Sequence, residues 1–408
     1  MKPFKPIKER LFLDKWELIS GVYDIFELDF ALWEYENMSI EEAISRSALF
    51  RSIDSVPTVH YQYCNDQNVD DIYNKSSFRT RSFFANGKYS TGYSTHSLFP
   101  YRGKFHPQLI RALMNVIGVK QGDIVLDPLS GSGTVSVEAN MINADSLAVD
   151  ISPFCCLMTR VKTFCLNIEV EKFDILINQS DRIFQKLNKP NLPTSFNKIS
   201  AEEKPYYEIF LLAYLDAVGF SMRSSKCVEK LFPSVLNRYI LTIKSARKAI
   251  ETTSLNIGKT SVINGDARCL DIPDGSVDCV ITSPPYSFAI DYVENDKQQL
   301  QYLRCDAESL KNKMIGLKGK SIDDKLEYYF DDISKVLIEV VRVIKKRGMV
   351  ALVIGTNDIQ TKGIRLESRI KTIADQLNLT LRAEIVKPIR GMYNSMKYEN
   401  ILLFEAYK

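Results

Sequence analysis

From Phe99 onward the apolar positions follow two periods in turn. In His106–Ile117 (HPQLIRALMNVI) they recur at helical spacing, and DIVLD (123–127) reads as a short apolar strand ending on a carboxylate. A Gly/Ser turn and a new helix follow, and SLAVD (146–150) repeats the strand-to-carboxylate pattern. TSVIN (260–264), VDCVITS (277–283), GMVALVIG (348–355), LTLRAEIV (379–386) and ENILLFEAY (399–407) are five more strands. A long helical stretch ending at Lys346 and a helix near 365–377 lie between them. Strand alternating with helix predicts a parallel-dominated sheet covered on both faces. The last two strands have no helix between them, which predicts an antiparallel pair at one edge.

Two regions break this rhythm. Residues 165–257 are helical, with EKFDILINQSDRIFQKL (171–187), YYEIFLLAYLDAVGF (206–220) and SVLNRYILTIKSARKAI (234–250) joined by the Pro- and Asn-rich linker 187–205. Residues 1–95 are rich in aromatic and acidic residues and show no clear strand alternation. Within them SIEEAISRSALFRSI (39–53) reads as one capped helix, because Ser39 stands three residues before Glu42. The expected architecture is an α/β, doubly wound sheet of seven strands, built from 96–164 and 258–408, with a helical insertion (165–257) and an N-terminal extension (1–95).

Composition narrows the class. A chain of 408 residues with 45% hydrophobic and 25% charged residues can bury a full core, which excludes disordered and fibrous classes. No apolar run reaches the ~18 residues of a membrane span; the longest candidate, Phe210–Phe220, is interrupted by Asp216. The charged N-terminus lacks a signal-peptide core. The eight cysteines show neither a Cys-x-x-Cys pair nor zinc spacing, so no metal is expected and they read as thiols of a reducing cytoplasm.

The net charge of +3 is unevenly spread. Residues 1–80 carry 9 basic and 14 acidic residues, residues 221–248 carry seven and one, and residues 361–397 carry eight and three. The two basic segments suit either a polyanion footprint or two solvated helix faces. In the first, Arg223, Lys226, Lys230, Arg238, Lys244, Arg247 and Lys248 cannot all face one partner on one helix.

Chemistry concentrates at strand ends. Asp127-Pro128-Leu129-Ser130-Gly131-Ser132-Gly133-Thr134 follows a strand and opens a helix, where glycines admit a ligand close to the backbone. It lacks the dinucleotide and P-loop spacings, and no Lys follows Gly133. Asp150 ends the next strand, where a carboxylate can accept both ribose hydroxyls. Gly265-Asp266-Ala267-Arg268 follows the third. Thr282-Ser283-Pro284-Pro285-Tyr286 closes the fourth. Two prolines remove two amide donors and hold the chain extended, leaving carbonyls free to accept. With the Ser283 hydroxyl and the Tyr286 ring, this set suits an exocyclic amino group on a nucleobase.

The pair DPLSGSGT (127–134) and TSPPY (282–286) resembles the S-adenosylmethionine-dependent amino-methyltransferases of DNA, and FPYRGKFHPQLIRAL (99–113) is similar to the family's N-terminal motif. The resemblance covers 99–164 and 258–408 and implies a Rossmann-like methyltransferase sheet. It implies that Asp127, Pro128, Ser130, Gly131, Gly133 and Thr134 surround the methionine moiety. Asp150 would then bind the ribose, Asp266 with Ala267 the adenine, and Lys104, His106 and Pro107 the region of the cofactor's carboxylate. Ser283, Pro284, Pro285 and Tyr286 hold the target base, with Tyr286 stacked on it. Leu129 stands where the glycine motif usually has Phe, and the helical block is not where most members place their recognition region.

TSPPY is the form most often seen in enzymes acting on cytosine N4, so the resemblance implies N4-cytosine methylation of duplex DNA by base flipping and direct transfer. Adenine N6 is the alternative, then guanine N2 of RNA or a protein glutamine; from another class comes a silent fold that only binds DNA. Carbon-5 methylation is excluded, since no Pro-Cys dipeptide occurs. Candidate partners are duplex DNA and a cognate restriction endonuclease or defence-system subunit; no membrane is expected.

Overall fold

The computed structural model describes residues 16–18, 25–65, 92–101, 103–285, 291–355, 361–389 and 398–407. A three-stranded antiparallel sheet comprises β1 (Trp16–Leu18), β2 (Phe50–Ile53) and β3 (Val56–Pro57). The main sheet holds β4 (Ile124–Asp127), β5 (Asp145–Asp150), β6 (Thr260–Asn264), β7 (Val277–Thr282), β8 (Ile344–Gly355), β9 (Leu379–Pro388) and β10 (Tyr398–Ala406). These are the seven expected strands. Their order is β6-β5-β4-β7-β8-β10-β9, with β10 inserted antiparallel between β8 and β9 and the described pairs among the others parallel.

Alternation along the central strands builds two cores. Val125, Ile281, Ala351 and Val353 point to one face, covered by helices Pro107–Val116 and Thr134–Met141 and by Phe30 and Ala31 of the N-terminal helix Ile25–Asn37. Leu126, Val280, Val350 and Leu352 point to the other, covered by Ile322–Val343 and Leu366–Gln376. The order reverses direction beside β4, whose neighbours are β5 and β7, and an open sheet binds ligands at such a switch point.

The insertion does not lie on the strands. Its helices Val170–Ile177, Ser180–Leu187, Lys204–Ser221 and Val228–Thr252 share a core with helix Pro153–Phe164, through Phe173, Phe184, Phe210, Phe232 and Tyr239 against Leu157, Met158 and Val161.

Three expectations are corrected. The helix expected over 39–53 ends at Arg46, and Phe50–Ile53 is strand. Its capping box is present: Glu42 N–H donates to Ser39 Oγ at 3.2 Å and Ser39 N–H to Glu42 Oε2 at 2.9 Å. The helix stops because the buried Glu34 carboxylate captures the amides of Ala48 and Leu49 at 2.9 and 3.2 Å, which frees Phe50 and Ile53 to pack as strand. The stretch 171–187 is two helices, separated at Asn178 and Gln179. The long helix ends at Val343, and Lys345–Gly348 form a bulge, because Val277 pairs with Ile344 but Cys279 with Met349.

Candidate active site

The glycine turn folds over the tip of β5. Ser130 N–H donates to Val149 O at 2.9 Å and Gly131 N–H to Asp150 Oδ2 at 2.8 Å, while Asp150 Oδ1 takes the Ser152 amide at 2.8 Å. Burial pushes Asp150 up to about 6, against these two bonds. Gly133 caps helix Thr134–Met141 at φ 78°, and a Cβ there would lie 2.7 Å from Thr159 Oγ1. Gly131, at φ 48°, faces open space, so a side chain there would enter the cleft.

That cleft, about 950 Å³ counted out to its mouth, is lined by Lys104, Pro128, Ser130, Gly131, Thr134 and Asp150, and by Asp266, Ala267, Ser283, Pro284 and Pro285. These eleven predicted residues therefore converge from four strand ends and the N-terminal motif. Lys104 Nζ donates to His96 O at 3.2 Å, and burial lowers it to about 8.

Five others lie off the wall or outside the described residues. Asp127 sits behind the turn, where its Oδ1 accepts from Thr282 Oγ1 at 2.7 Å and from Leu129 N–H at 3.2 Å, and burial raises it to about 7. Gly133 packs against Thr159. His106 is the exposed N-cap of helix Pro107–Val116, and Pro107 is buried in its first turn. Tyr286 lies outside the described residues, as do Arg390–Asn394.

Two predicted groups carry unexpected contacts. The Asp266 carboxylate is gripped by Arg268, with Nε at 2.9 Å and a terminal guanidinium nitrogen at 2.7 Å; although burial opposes it, these bonds keep Asp266 below its usual range. Arg268 in turn reaches Asp332 at 2.6 Å and Lys313 O at 2.7 Å. Ser283 Oγ donates to Val353 O on β8 at 2.9 Å. With its proton placed there, the Ser283 oxygen faces a ligand as an acceptor only.

Sequence reasoning missed a supporting layer. Tyr101 lines the cleft, and its hydroxyl donates to Asp296 Oδ2 at 3.2 Å; burial raises Asp296 to about 7. Lys162 is buried beneath the turn, donates to Ser132 O at 2.9 Å, and is lowered to about 7 by burial and by the charge of Lys104. Glu138, at 0% exposure, accepts from Tyr93 OH at 2.6 Å and Arg111 Nε at 2.7 Å and bonds His96 Nε2 at 2.7 Å. Burial opposes its ionisation, but Arg111 and His96 hold it down at about 2. Tyr93, His96 and, within the N-terminal motif, Arg111 are thus pinned to the helix that the glycine turn opens.

Part of each basic segment is paired within the chain. Arg238 pairs with Asp216, Lys244 with Asp174 at 2.6 Å and Arg247 with Glu251 at 3.2 Å. In the second segment Lys362, Arg365, Lys371, Arg382 and Lys387 pair with Asp323, Glu367, Glu384, Glu405 and Glu399, and Arg369 lies over Phe330. Among the described residues no group of three or more His, Cys, Asp or Glu could hold a metal, and no helix is long and apolar enough to cross a membrane.

Seven strands reversing order beside a glycine turn define a nucleotide-type ligand cleft. Residues 97–189 match the UPF0020 family, described as an RMKL-like methyltransferase domain. The chain is 24% identical over 277 residues to the Type II methyltransferase M.BsoBI of Geobacillus stearothermophilus, covering 53% of this chain and 54% of that protein. It is 22% identical over 416 positions to the Type II methyltransferase M.MjaII of Methanocaldococcus jannaschii, covering 72% and 76%. A 45-residue stretch is 49% identical to the tRNA (guanine(10)-N2)-dimethyltransferase of the same organism, covering 11% and 13%. The chain spans about half the length of M.BsoBI. Fold and matches together support a methyltransferase of Rossmann-like architecture, a class whose cofactor is S-adenosylmethionine. The cleft suits that group: the buried Ser130 Oγ has no hydrogen-bond partner among the described residues, and Gly131 leaves open the space a Cβ would fill.

Proposed function

We propose that this chain methylates the N4 amino group of cytosine in duplex DNA. The observation that carries the reading is the Ser283 hydroxyl, committed as a donor to Val353 O, beside two prolines without amide protons, on the cleft that holds the glycine turn. An amino group has two protons to give, and this corner of the cleft accepts rather than donates. The resemblance to Type II methyltransferases supports DNA as the substrate, and Ser at position 283 supports cytosine over adenine.

In this reading 96–164 and 258–408 are the catalytic part, and 165–257 is the insertion. Ser130, Gly131, Thr134 and Asp150 hold the methionine and ribose portions of the cofactor, with Lys104 toward its carboxylate and Ala267 beside its adenine. Asp127, Gly133 and Pro128 hold the turn, and His106 and Pro107 start the helix that anchors Lys104's segment. Asp266 binds adenine as far as Arg268 releases its carboxylate. When bound, S-adenosylmethionine would supply an electrophilic sulfonium methyl group: the N–C bond would form as the C–S bond breaks, the neutral thioether would leave, and the amine's surplus proton would pass to water. Ser283 and the Pro284 carbonyl accept hydrogen bonds from the amine and localise its lone pair; Pro285 keeps the turn extended and Tyr286 stacks on the ring. Orientation supplies much of the rate.

A second reading, methylation of guanine N2 in RNA, is favoured by the short match to the tRNA dimethyltransferase, since the same acceptors serve that amine. Mass spectrometry of nucleosides from duplex DNA and tRNA incubated with the protein and S-adenosylmethionine separates the two. N4-methylcytosine is the expected product. N6-methyladenine would keep the cleft but remove Ser283 as the selector, and N2-methylguanosine would move the substrate to RNA.

A further inference from the structure

Of the seven cations of 221–248, Lys248 is exposed near the far end of helix Val228–Thr252, and the other six divide sharply. Arg238, Lys244 and Arg247 are held by carboxylates of their own chain. Arg223, Lys226 and Lys230 are exposed and pair with no carboxylate among the described residues. They sit at the connection between helices Lys204–Ser221 and Val228–Thr252, beside Phe220 and Met222, which are 45% and 68% exposed. A fourth exposed cation, Lys189, joins them from another segment: its neighbour Asn188 donates to Glu229 Oε1 at 2.9 Å, next to Lys230.

This tip lies close to the cleft. A Cβ on Gly219 would meet Gln299 Nε2 at 2.9 Å, and Gln299 Nε2 donates to Leu215 O at 3.4 Å. Gln299 is three residues along from Asp296, which takes the hydroxyl of the cleft residue Tyr101. Three helical residues rise ~4.5 Å, so a short chain of contacts joins the start of the tip to the cleft wall. Duplex DNA presents a charge about every 1.7 Å of its axis, so a nucleotide held in the cleft brings its flanking phosphates to such a surface.

We propose that Lys189, Arg223, Lys226 and Lys230, with Phe220 and Met222 against sugar and base edges, form the surface that grips the backbone of duplex DNA beside the target base. The inference rests on the reading of the chain as a DNA methyltransferase. Cations at the tip of a helical hairpin can follow a phosphate track without rearranging ion pairs, whereas Lys362, Arg365, Lys371, Arg382 and Lys387 must first leave their carboxylates.

The test is duplex-DNA binding by fluorescence anisotropy across a salt series, with wild type and with Lys189→Gln/Arg223→Gln/Lys226→Gln/Lys230→Gln. Each lost phosphate contact removes ~0.9 from the slope of log K against log salt, so the variant is expected to lose about 3 to 4 from it. Its affinity at moderate salt falls at least tenfold, while the calorimetric Kd for S-adenosylmethionine stays unchanged and shows that the fold is intact. Lys371→Gln/Arg382→Gln is expected to leave the slope alone. Wild-type and quadruple-variant slopes that coincide would overturn the surface and leave the DNA reading standing. Wild-type protein that ignores duplex DNA but grips structured RNA would overturn both.

Discussion

Thr282 Oγ1 donates to Asp127 Oδ1 at 2.7 Å, and this bond joins the tips of β4 and β7 across the point where the strand order reverses. One tip carries the glycine turn and the other the Ser-Pro-Pro turn, so this buried contact extends the β4–β7 ladder to the two turns. Thr282→Val keeps the shape and removes the donor. Losing one partner of a buried charged acceptor costs about 1–3 kcal/mol. The expected result is a fall of that size in urea-denaturation stability together with weaker S-adenosylmethionine binding. Unchanged cofactor affinity would show that the turns do not depend on each other.

The same carboxylate gives a pH signature. Burial raises Asp127 from 3.8 to about 7 and Asp150 from 3.8 to about 6. Between the unfolded and folded values the native state therefore holds more protons than the unfolded chain, and stability of the cofactor-free protein falls as pH rises from about 4 to 7. Asp127→Asn is expected to flatten this decline, measured as urea-denaturation free energy against pH. A variant with the wild-type slope would mean that Asp127 titrates normally.

Glu138 works in the opposite direction, since its folded value is depressed to about 2. Its contribution is complete above about pH 4.5 and is lost as pH falls toward 2. Glu138→Gln leaves the guanidinium of Arg111, which is 2% exposed, without its carboxylate. Removing one partner of a buried pair costs about 3–5 kcal/mol, so a large drop in Tm at neutral pH is expected. The drop should narrow in acid, where wild type loses the same bond.

Much of the fold was legible because the central strands are buried on both faces and punctuated by turns. The seven segments from DIVLD to ENILLFEAY each form a main-sheet strand. The helix over 39–53 was misjudged at its second half, because what ends it is Glu34, a residue outside the window that captures two amides. The wall of the cleft was legible where residues sit at strand ends. The layer behind it was not: Asp296, Lys162 and Glu138 are single polar residues within or between helices, and nothing in local periodicity distinguishes them from solvated positions. Charge counting could not show the ion pairs of 361–397, where residues distant in sequence supply the carboxylates.

The two glycines of the turn separate fold from binding. Gly133→Ala puts a Cβ 2.7 Å from Thr159 Oγ1 at φ 78°, so it is expected to lower Tm. Gly131→Ala meets nothing within 4 Å and bears only the positive-φ strain, about 1 kcal/mol. Its methyl group enters the cleft, so cofactor Kd should rise several-fold with a smaller change in Tm. Equal effects on Kd and Tm in both variants would remove Gly131 from the cofactor wall.

Ser283 gives the sharpest test of the proposed chemistry, because its two roles can be parted. Its proton serves Val353 O, which leaves its oxygen as an acceptor, and the residue lines the cleft. Ser283→Ala removes both, but the Val353 carbonyl is an acceptor that water or a neighbour can satisfy, so Tm is expected to change little. Cofactor affinity should also hold, since Ser130, Gly131 and Asp150 remain. What falls is kcat, by on the order of 10- to 100-fold, the scale for losing one hydrogen bond made to the reacting group. Ser283→Thr retains a hydroxyl that can bond Val353 O and should recover part of the rate. Full activity in the alanine variant, with N4-methylcytosine still the product, would leave the amine to the Pro284 carbonyl alone and remove Ser283 from catalysis.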